Sequence, residues 1–164
     1  MIYKTKPYQH QDDAVKRFQN LGYGALFLEQ GLGKSKIILD LIENSKTKHT
    51  LILAPNGLHA NWHFKEIPEH YGNVEVGRPI NKGFDYSYYW KGPPTSQIGK
   101  MHLKLFLSST EMNRSFLLMN VEAIRTKAGF EVCKEYLSSR EDTLICIDES
   151  TCIKNPKAMV TKAA

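Results

Sequence analysis

The sequence predicts an α/β domain of three layers built around a mainly parallel central sheet. Short, nearly continuous apolar runs recur along the chain, and the longer stretches between them carry apolar residues at helical spacing. Strands that are apolar throughout are typical of a parallel sheet covered by helices on both faces. The 164 residues suffice for one core but are too few to divide, so we expect one domain over residues 1–164.

The predicted strands are five runs that are each too short for a helix: "GALFL" (24–28), "TLILA" (50–54), "NVEVG" (73–77), "SFLLM" (115–119) and "TLICI" (143–147). The predicted helices carry apolar residues three and four apart: Ala14, Val15, Phe18 and Leu21, then Ile37, Ile38, Leu41 and Ile42, then Val121, Ile124 and Ala128. Residues 80–96, "INKGFDYSYYWKGPPTS", predict a long surface loop before a helix over 97–108. We expect the aromatic side chains of this loop to pack on the domain rather than stack on bases.

The composition is that of a soluble globular protein, with 41% hydrophobic and 24% charged residues. No apolar run approaches the ~18–20 residues that span a bilayer, so no membrane segment is expected. The N-terminus "MIYKTKPYQHQ" lacks the apolar core of a secretory signal, which favours the cytoplasm, or the host cytoplasm for a phage protein. A net charge of +5 permits a nucleic-acid partner without requiring one.

The stretch "LEQGLGKSK" lies between a predicted strand and a predicted helix. Gly31 and Gly33 permit a tight loop whose N–H groups point at phosphate oxygens, and the following helix adds the positive end of its dipole. We expect Lys34 to reach the β- and γ-phosphates of the ligand, and Ser35 to offer its hydroxyl to Mg²⁺. Leu28 stands where the strict phosphate-loop pattern has glycine, which leaves open the alternative that the glycines merely end a strand.

The stretch "TLICIDES" ends another buried strand in two adjacent carboxylates, Asp148 and Glu149. Ligands of doubly wound sheets bind at the carboxyl ends of the strands, so we expect this pair to face the loop at 31–35. Asp148 is the predicted ligand of Mg²⁺, directly or through water, and Glu149 the predicted base that orients and deprotonates the attacking water. An acidic turn that caps a helix is the alternative that the pair alone leaves open.

Two features of the stretch after residue 55 have simpler explanations than a binding site. Trp62 lies at helical spacing from Leu58, which predicts a core position rather than a platform for bases. His59 and His63 lie four residues apart, but no Glu follows the first histidine and no third ligand is evident, so no zinc site is expected.

Five motifs in order resemble the first motor lobe of superfamily-two helicases and translocases, especially the Swi/Snf-type and related phage enzymes. They are "KPYQHQDDAV", "LEQGLGKSK", "LILAPNGLHANWHFKEI", "LLMNVEAIR" and "IDESTCIKNP". The chain departs from the family pattern at Leu28, where aspartate is usual, at Val121, where tyrosine is usual, and at Ser150 and Thr151, where Ala-His is common.

The resemblance implies a P-loop NTPase (RecA-like) fold with ATP and Mg²⁺ as cofactors and Gln11 as the glutamine that reads adenine. It also implies part of a nucleic-acid track, with DNA as the expected partner, at Pro55, Asn56, Gly57 and Asn120. A plain strand-to-helix turn is the alternative for the first three of these residues.

In this family a second lobe contributes the arginines that complete the ATP site. The segments typical of that lobe do not occur in these 164 residues, so the resemblance implies a partner lobe in cis or in trans. It therefore implies that this chain alone hydrolyses ATP slowly or not at all. The alternative function is a stand-alone regulatory module of the same fold that binds nucleotide or nucleic acid without turnover.

Overall fold

A computed structural model describes residues 3–71, 74–76, 85–109 and 112–149 of the chain. The strands are β1 His49–Ala54, β2 Val74–Val76, β3 Asp85–Tyr89, β4 Ser115–Asn120 and β5 Thr143–Ile147. They form one open sheet in the order β2-β3-β4-β1-β5, and every neighbouring pair runs parallel. The predicted parallel sheet is thus confirmed.

Helices cover both faces of this sheet. They are α1 Gln9–Phe18, α2 Lys34–Glu43, α3 Leu58–Asn61, a π-helix Trp62–Glu66, α4 Ile67–His70, α5 Gln97–Ser108, a 3₁₀ helix Val121–Arg125 and α6 Lys127–Ser138. None of the helices that the structure describes has the length and apolarity needed to cross a lipid bilayer.

Two hydrophobic clusters hold the layers together, one on each face. Alternate residues of β1 divide between them, since Leu51 and Leu53 join the cluster under α5 and α6 whereas Ile52 and Ala54 join the cluster under α2. This division follows from the period of two along a strand, which sends successive side chains to opposite faces. The three predicted layers are confirmed.

Elements with strong local signals have the predicted bounds. The ranges of β5 and α5 match the prediction to the residue, and α5 begins where the Ser96 hydroxyl accepts a hydrogen bond from the Gly99 N–H at 3.0 Å. The single helix predicted through residues 121–128 is wrong. The Thr126 hydroxyl accepts from the N–H of Gly129 at 3.1 Å and caps α6, so the 3₁₀ helix ends at Arg125 and a new helix begins at Lys127.

The predicted strand over 24–28 is also wrong, because residues 24–29 have no regular secondary structure and Phe27 is 91% exposed. A strand obtains its backbone hydrogen bonds from a neighbouring strand. An apolar run favours the extended conformation but does not specify that neighbour, and here the segment pairs with none of the described strands.

The predicted loop over 80–96 contains a strand instead, since β3 lies between β2 and β4 in the sheet. Residues 80–84 of that prediction lie outside the described part of the chain. The aromatic side chains pack on the domain as expected, because Tyr86 and Trp90 are buried in the cluster under α5 and α6. Tyrosine favours a pleated, half-buried surface, so the run "DYSYY" has strand propensity that the flanking glycines and prolines concealed.

Candidate functional site

Three adjacent strands end together at one edge of the sheet. Leu53 of β1 is in register with Ile147 of β5, and Ala54 is in register with Asn120 of β4. The backbone N–H of Asp148 donates to the carbonyl of Leu53 at 2.8 Å and fixes the chain as it leaves β5. The predicted magnesium ligand therefore lies at the same edge as the ends of β1 and β4.

The direction of α2 follows from an anchor at its opposite end. The guanidinium of Arg114, directly before β4, donates to the carbonyl oxygens of Ile42, Glu43 and Ser45, the last at 3.0 Å. These contacts hold the carboxyl end of α2 at the amino edge of the sheet. The ten residues of the helix span about 15 Å, so its first turn points toward the carboxyl edge, where Asp148 lies.

The predicted phosphate loop has the backbone geometry that such a loop needs. Gly31 has φ of +86° and Gly33 has φ of +74°, a region that side-chain-bearing residues rarely adopt. Gly33 is the N-cap of α2 and has no side chain that could bond to the first N–H groups of the helix. The loop thus presents uncapped backbone donors at the positive end of the helix dipole, an arrangement that suits an anion.

The ammonium group of Lys34 spans this loop. Its Nζ donates to the carbonyl oxygens of Leu28 at 2.9 Å and Glu29 at 3.0 Å. An ammonium has three N–H donors and no acceptor, so these two contacts leave a third donor for another oxygen. Ser35, the next residue, is half-buried in the first turn of α2.

Gln11 connects α1 to the same loop. Its side chain is buried, its Oε1 accepts from the backbone N–H of Tyr8 at 3.0 Å, and its Nε2 donates to the carbonyl of Leu32 at 3.3 Å. A Cβ on Gly33 would lie 2.3 Å from that Nε2. In this structure the Gln11 amide therefore supports the loop backbone, and its predicted contact with adenine stays a prediction.

The two acidic residues after β5 differ in their surroundings. Asp148 is half-buried, and its Oδ2 accepts a hydrogen bond from the indole Nε1 of Trp62 at 2.9 Å. Glu149 is exposed and has φ of +56°, which is uncommon for a residue other than glycine. Such backbone conformations concentrate at functional sites, which is compatible with the predicted role of Glu149.

Trp62 is buried, as predicted, but sequence reasoning missed its contact with Asp148. The indole N–H is a donor that finds a partner when tryptophan is buried. From the sequence one could therefore expect that the Trp62 N–H has an acceptor, but not that the acceptor is Asp148, 86 residues away.

The predicted nucleic-acid residues lie around the same edge. Asn56 and Gly57 are exposed, and the N–H of Leu58 donates to the carbonyl of Pro55 at 3.0 Å, which closes a turn into α3. The side-chain oxygen of Asn120 accepts from the N–H of Ala123 at 2.6 Å and caps the 3₁₀ helix. The exposed part of this group is thus the turn at 56–57, whereas the Asn120 oxygen already has a structural partner.

Buried polar side chains near α2 were not anticipated either. Lys36 and Asp40 form an ion pair within α2 in which both side chains are buried. Burial raises the pKa of the Asp40 carboxyl, although the Lys36 ammonium acts in the opposite direction. The Nζ of Lys36 also lies 5.3 Å from the centre of the Tyr3 ring. The polar stretch "KSK" gives no indication in the sequence that the side chain of Lys36 faces the interior.

The two histidines of the helical stretch after β1 pack against β3. His63 lies 3.0 Å from the Ser87 hydroxyl through its Nδ1, and both His59 and His63 contact the ring of Tyr89. Burial, with a smaller contribution from Lys91, lowers the pKa of His63 to about 4. Both histidines act here as neutral core residues.

Comparison of the chain with models of protein families, with curated proteins and with solved structures finds no match. The functional assignment therefore depends on the motifs and on the geometry of the carboxyl edge.

Proposed function

We propose that this chain is the ATP-binding lobe of a DNA or RNA helicase or translocase, with a RecA-like P-loop NTPase fold. The observation that supports this most is the left-handed glycine turn before α2, because the first turn of this helix faces the edge that holds Asp148 and Glu149. Open α/β sheets bind their ligands at this edge. The order of the five motifs supports the finer assignment to helicases.

The donor groups of the site fit a magnesium nucleotide. The backbone N–H groups at 33–35 and the Lys34 ammonium suit phosphate oxygens, whereas the Ser35 hydroxyl and the Asp148 carboxylate are hard oxygen ligands of the kind that Mg²⁺ prefers. Bound Mg²⁺ would neutralise charge on the phosphates. Glu149, exposed at the same edge, is the base that would orient and deprotonate water.

We expect this chain alone to hydrolyse ATP at a rate near background, with or without DNA or RNA. Arg114 and Arg140 each bind backbone carbonyls, Arg114 at the amino edge of the sheet and Arg140 at Phe106 of α5. An arginine directed at the γ-phosphate is worth ~10³–10⁵ in rate in related phosphoryl-transfer enzymes. In the family that the chain resembles, a second lobe provides it, so turnover should rise when that lobe is added.

Nucleic-acid binding by this chain should be weak, indifferent to sequence and strongly reduced by salt. The exposed turn at 56–57 offers backbone groups, and contacts of this kind recognise phosphates rather than bases. Fluorescence anisotropy with labelled single-stranded and duplex DNA at increasing salt measures this directly. Tight binding that persists at high salt would contradict the assignment of the turn.

The proposal is tested by isothermal titration calorimetry with Mg²⁺ and a non-hydrolysable ATP analogue. Lys34→Ala should abolish measurable binding, because it removes the ammonium from a loop made of backbone amides. Lys46→Ala is the matched control, since Lys46 is an exposed lysine just after the carboxyl end of α2. Unchanged affinity in Lys34→Ala, with a native circular dichroism spectrum, would refute the phosphate loop. Binding without turnover after addition of a second lobe would instead favour the regulatory module.

A further inference from the structure

The indole of Trp62 contacts the carboxylate that the proposed function assigns to Mg²⁺. Its Nε1 lies 2.9 Å from Oδ2 of Asp148, and the ring is 2% exposed. Trp62 belongs to the hydrophobic cluster between α2 and the sheet, together with Leu39 of α2 and Ala54 at the end of β1. The Trp62 side chain is thus held by packing between α2 and the sheet, and its N–H donates one hydrogen bond at the carboxyl edge.

The chemistry of the two groups determines which is the donor and which is the acceptor. An indole N–H is only a donor, so Oδ2 of Asp148 acts as the acceptor, while a carboxylate has about four acceptor positions on its two oxygens. The backbone N–H of Asp148 is fixed separately by the carbonyl of Leu53. The main chain of Asp148 and its Oδ2 are thus both held by hydrogen bonds. Its other carboxylate oxygen, Oδ1, has no donor among the residues that the structure describes.

The backbone of Trp62 is itself held in place. Trp62 begins the π-helix, where its carbonyl accepts from the N–H of Ile67, five residues on. The side-chain amide of Asn61 donates to Oε1 of Glu66 at 2.9 Å across the same turn. Short π-helical segments are rare, and those that occur are frequently at functional sites.

We propose that Trp62 is a positioning residue for Asp148: its indole holds Oδ2 and thereby presents Oδ1 to Mg²⁺. The inference rests on the proposed function, since it concerns the same carboxylate. A carboxylate free to rotate would lose side-chain freedom when it binds the ion, whereas one already held by a hydrogen bond loses less. Trp62 therefore contributes to the affinity for Mg·ATP and not to the affinity for ATP without metal.

The first test compares Trp62→Phe with the wild type and with Trp90→Phe. Phenylalanine keeps an aromatic ring but removes the N–H, and Trp90 is a buried tryptophan in the cluster on the opposite face. Affinity for a non-hydrolysable ATP analogue is measured with Mg²⁺ and with EDTA, and the ratio gives the gain due to the metal. We expect this ratio to be about tenfold smaller in Trp62→Phe than in the wild type, while the affinity measured in EDTA is unchanged. Trp90→Phe should have the same ratio as the wild type.

The outcomes separate this inference from the function on which it rests. A wild-type chain that does not bind the analogue under either condition refutes the proposed function and this inference with it. A wild-type chain with a metal-dependent gain, together with Trp62→Phe showing the same gain, refutes the inference alone. An equal loss of affinity with and without Mg²⁺ would also refute it, because that result is expected of a purely structural residue.

A second measurement does not need the Trp62 variant to fold. The chain has two tryptophans, so its ¹H–¹⁵N spectrum has two indole signals, and Trp90→Phe assigns them. Asp148→Ala should shift the Trp62 indole signal, and Mg²⁺ with the ATP analogue should shift it in the wild type, while the Trp90 signal stays in place. A Trp62 signal that responds to neither change refutes the proposal.

Discussion

The orientation of α2 depends on Arg114, and its replacement by methionine is expected to lower the free energy of unfolding markedly. The guanidinium donates to the carbonyls of Ile42, Glu43 and Ser45 and to the hydroxyl of Tyr71 at 3.2 Å. The Ile42 carbonyl also accepts from the N–H of Ser45 at 3.2 Å and from its hydroxyl at 2.8 Å, whereas the carbonyls of Glu43 and Ser45 lie at and beyond the last residue of α2, where the helix provides no donor. Methionine keeps much of the length and apolar stem of arginine but has no donor.

The size of the effect can be estimated from these contacts. A hydrogen bond to a charged group contributes ~1.5–3 kcal/mol, but the Arg114 side chain is half-buried and its bonds are not additive. We therefore expect a loss of about 3 kcal/mol rather than the sum of the individual bonds. For a chain of this size, 1 kcal/mol corresponds to ~2–4 °C, so the melting temperature should fall by about 9 °C.

The assay is urea denaturation followed by circular dichroism, with Arg125→Met as the matched control. Arg125 is exposed on the 3₁₀ helix, so its loss should change stability by less than about 0.5 kcal/mol. Arg114→Lys should recover only part of the loss, because an ammonium cannot reproduce the planar fork that reaches several carbonyls. Equal stabilities of the Arg114→Met and Arg125→Met variants would refute the argument that Arg114 fixes the direction of α2.

Two further predictions concern pH and the glycine loop. Burial holds the pKa of His63 at about 4, below its ordinary value of 6.5, so the unfolded chain binds this proton first and stability falls as the pH drops from 6.5 toward 4. Burial also lowers the pKa of His49 to about 4, so both proteins should lose stability over this range, and the slope should be steeper in the wild type than in His63→Gln by up to ~1.4 kcal/mol per pH unit; identical slopes in both proteins would contradict this. Gly33→Ala combines φ of +74° with a Cβ 2.3 Å from Gln11 Nε2 and should cost about 2 kcal/mol, against about 1 kcal/mol for Gly31→Ala, whose Cβ meets open space. Gln11→Ala should relieve part of the Gly33→Ala loss in a double-mutant cycle, whereas strict additivity would refute that contact.

Much of this fold follows from local sequence, because strand β5 and helix α5 carry signals within their own residues. The apolar run "TLICI" and the Ser96 cap each predict an element without reference to the rest of the chain. Residues 24–28 have the same kind of apolar run, yet the structure has no strand there. Pairing depends on a neighbouring strand, which no short stretch of sequence identifies.

The candidate site was predictable to the extent that backbone chemistry determines it. Gly31 and Gly33 occupy left-handed positions that only glycine adopts easily, so the loop could be recognised from its residues. The bond from Trp62 to Asp148 could not, because it joins side chains 86 residues apart that only the folded sheet brings together.

The most direct test of the account replaces Mg²⁺ with paramagnetic Mn²⁺ in the complex with the ATP analogue. Backbone amide signals near the ion should broaden, and the account predicts broadening at residues 33–35 and 148–149 together. Signals of His49, Ser115 and Thr143, which lie in register at the amino edge of the sheet, should stay sharp. Broadening at only one of the two predicted groups, or at the amino edge, would contradict a shared site for the nucleotide and its metal.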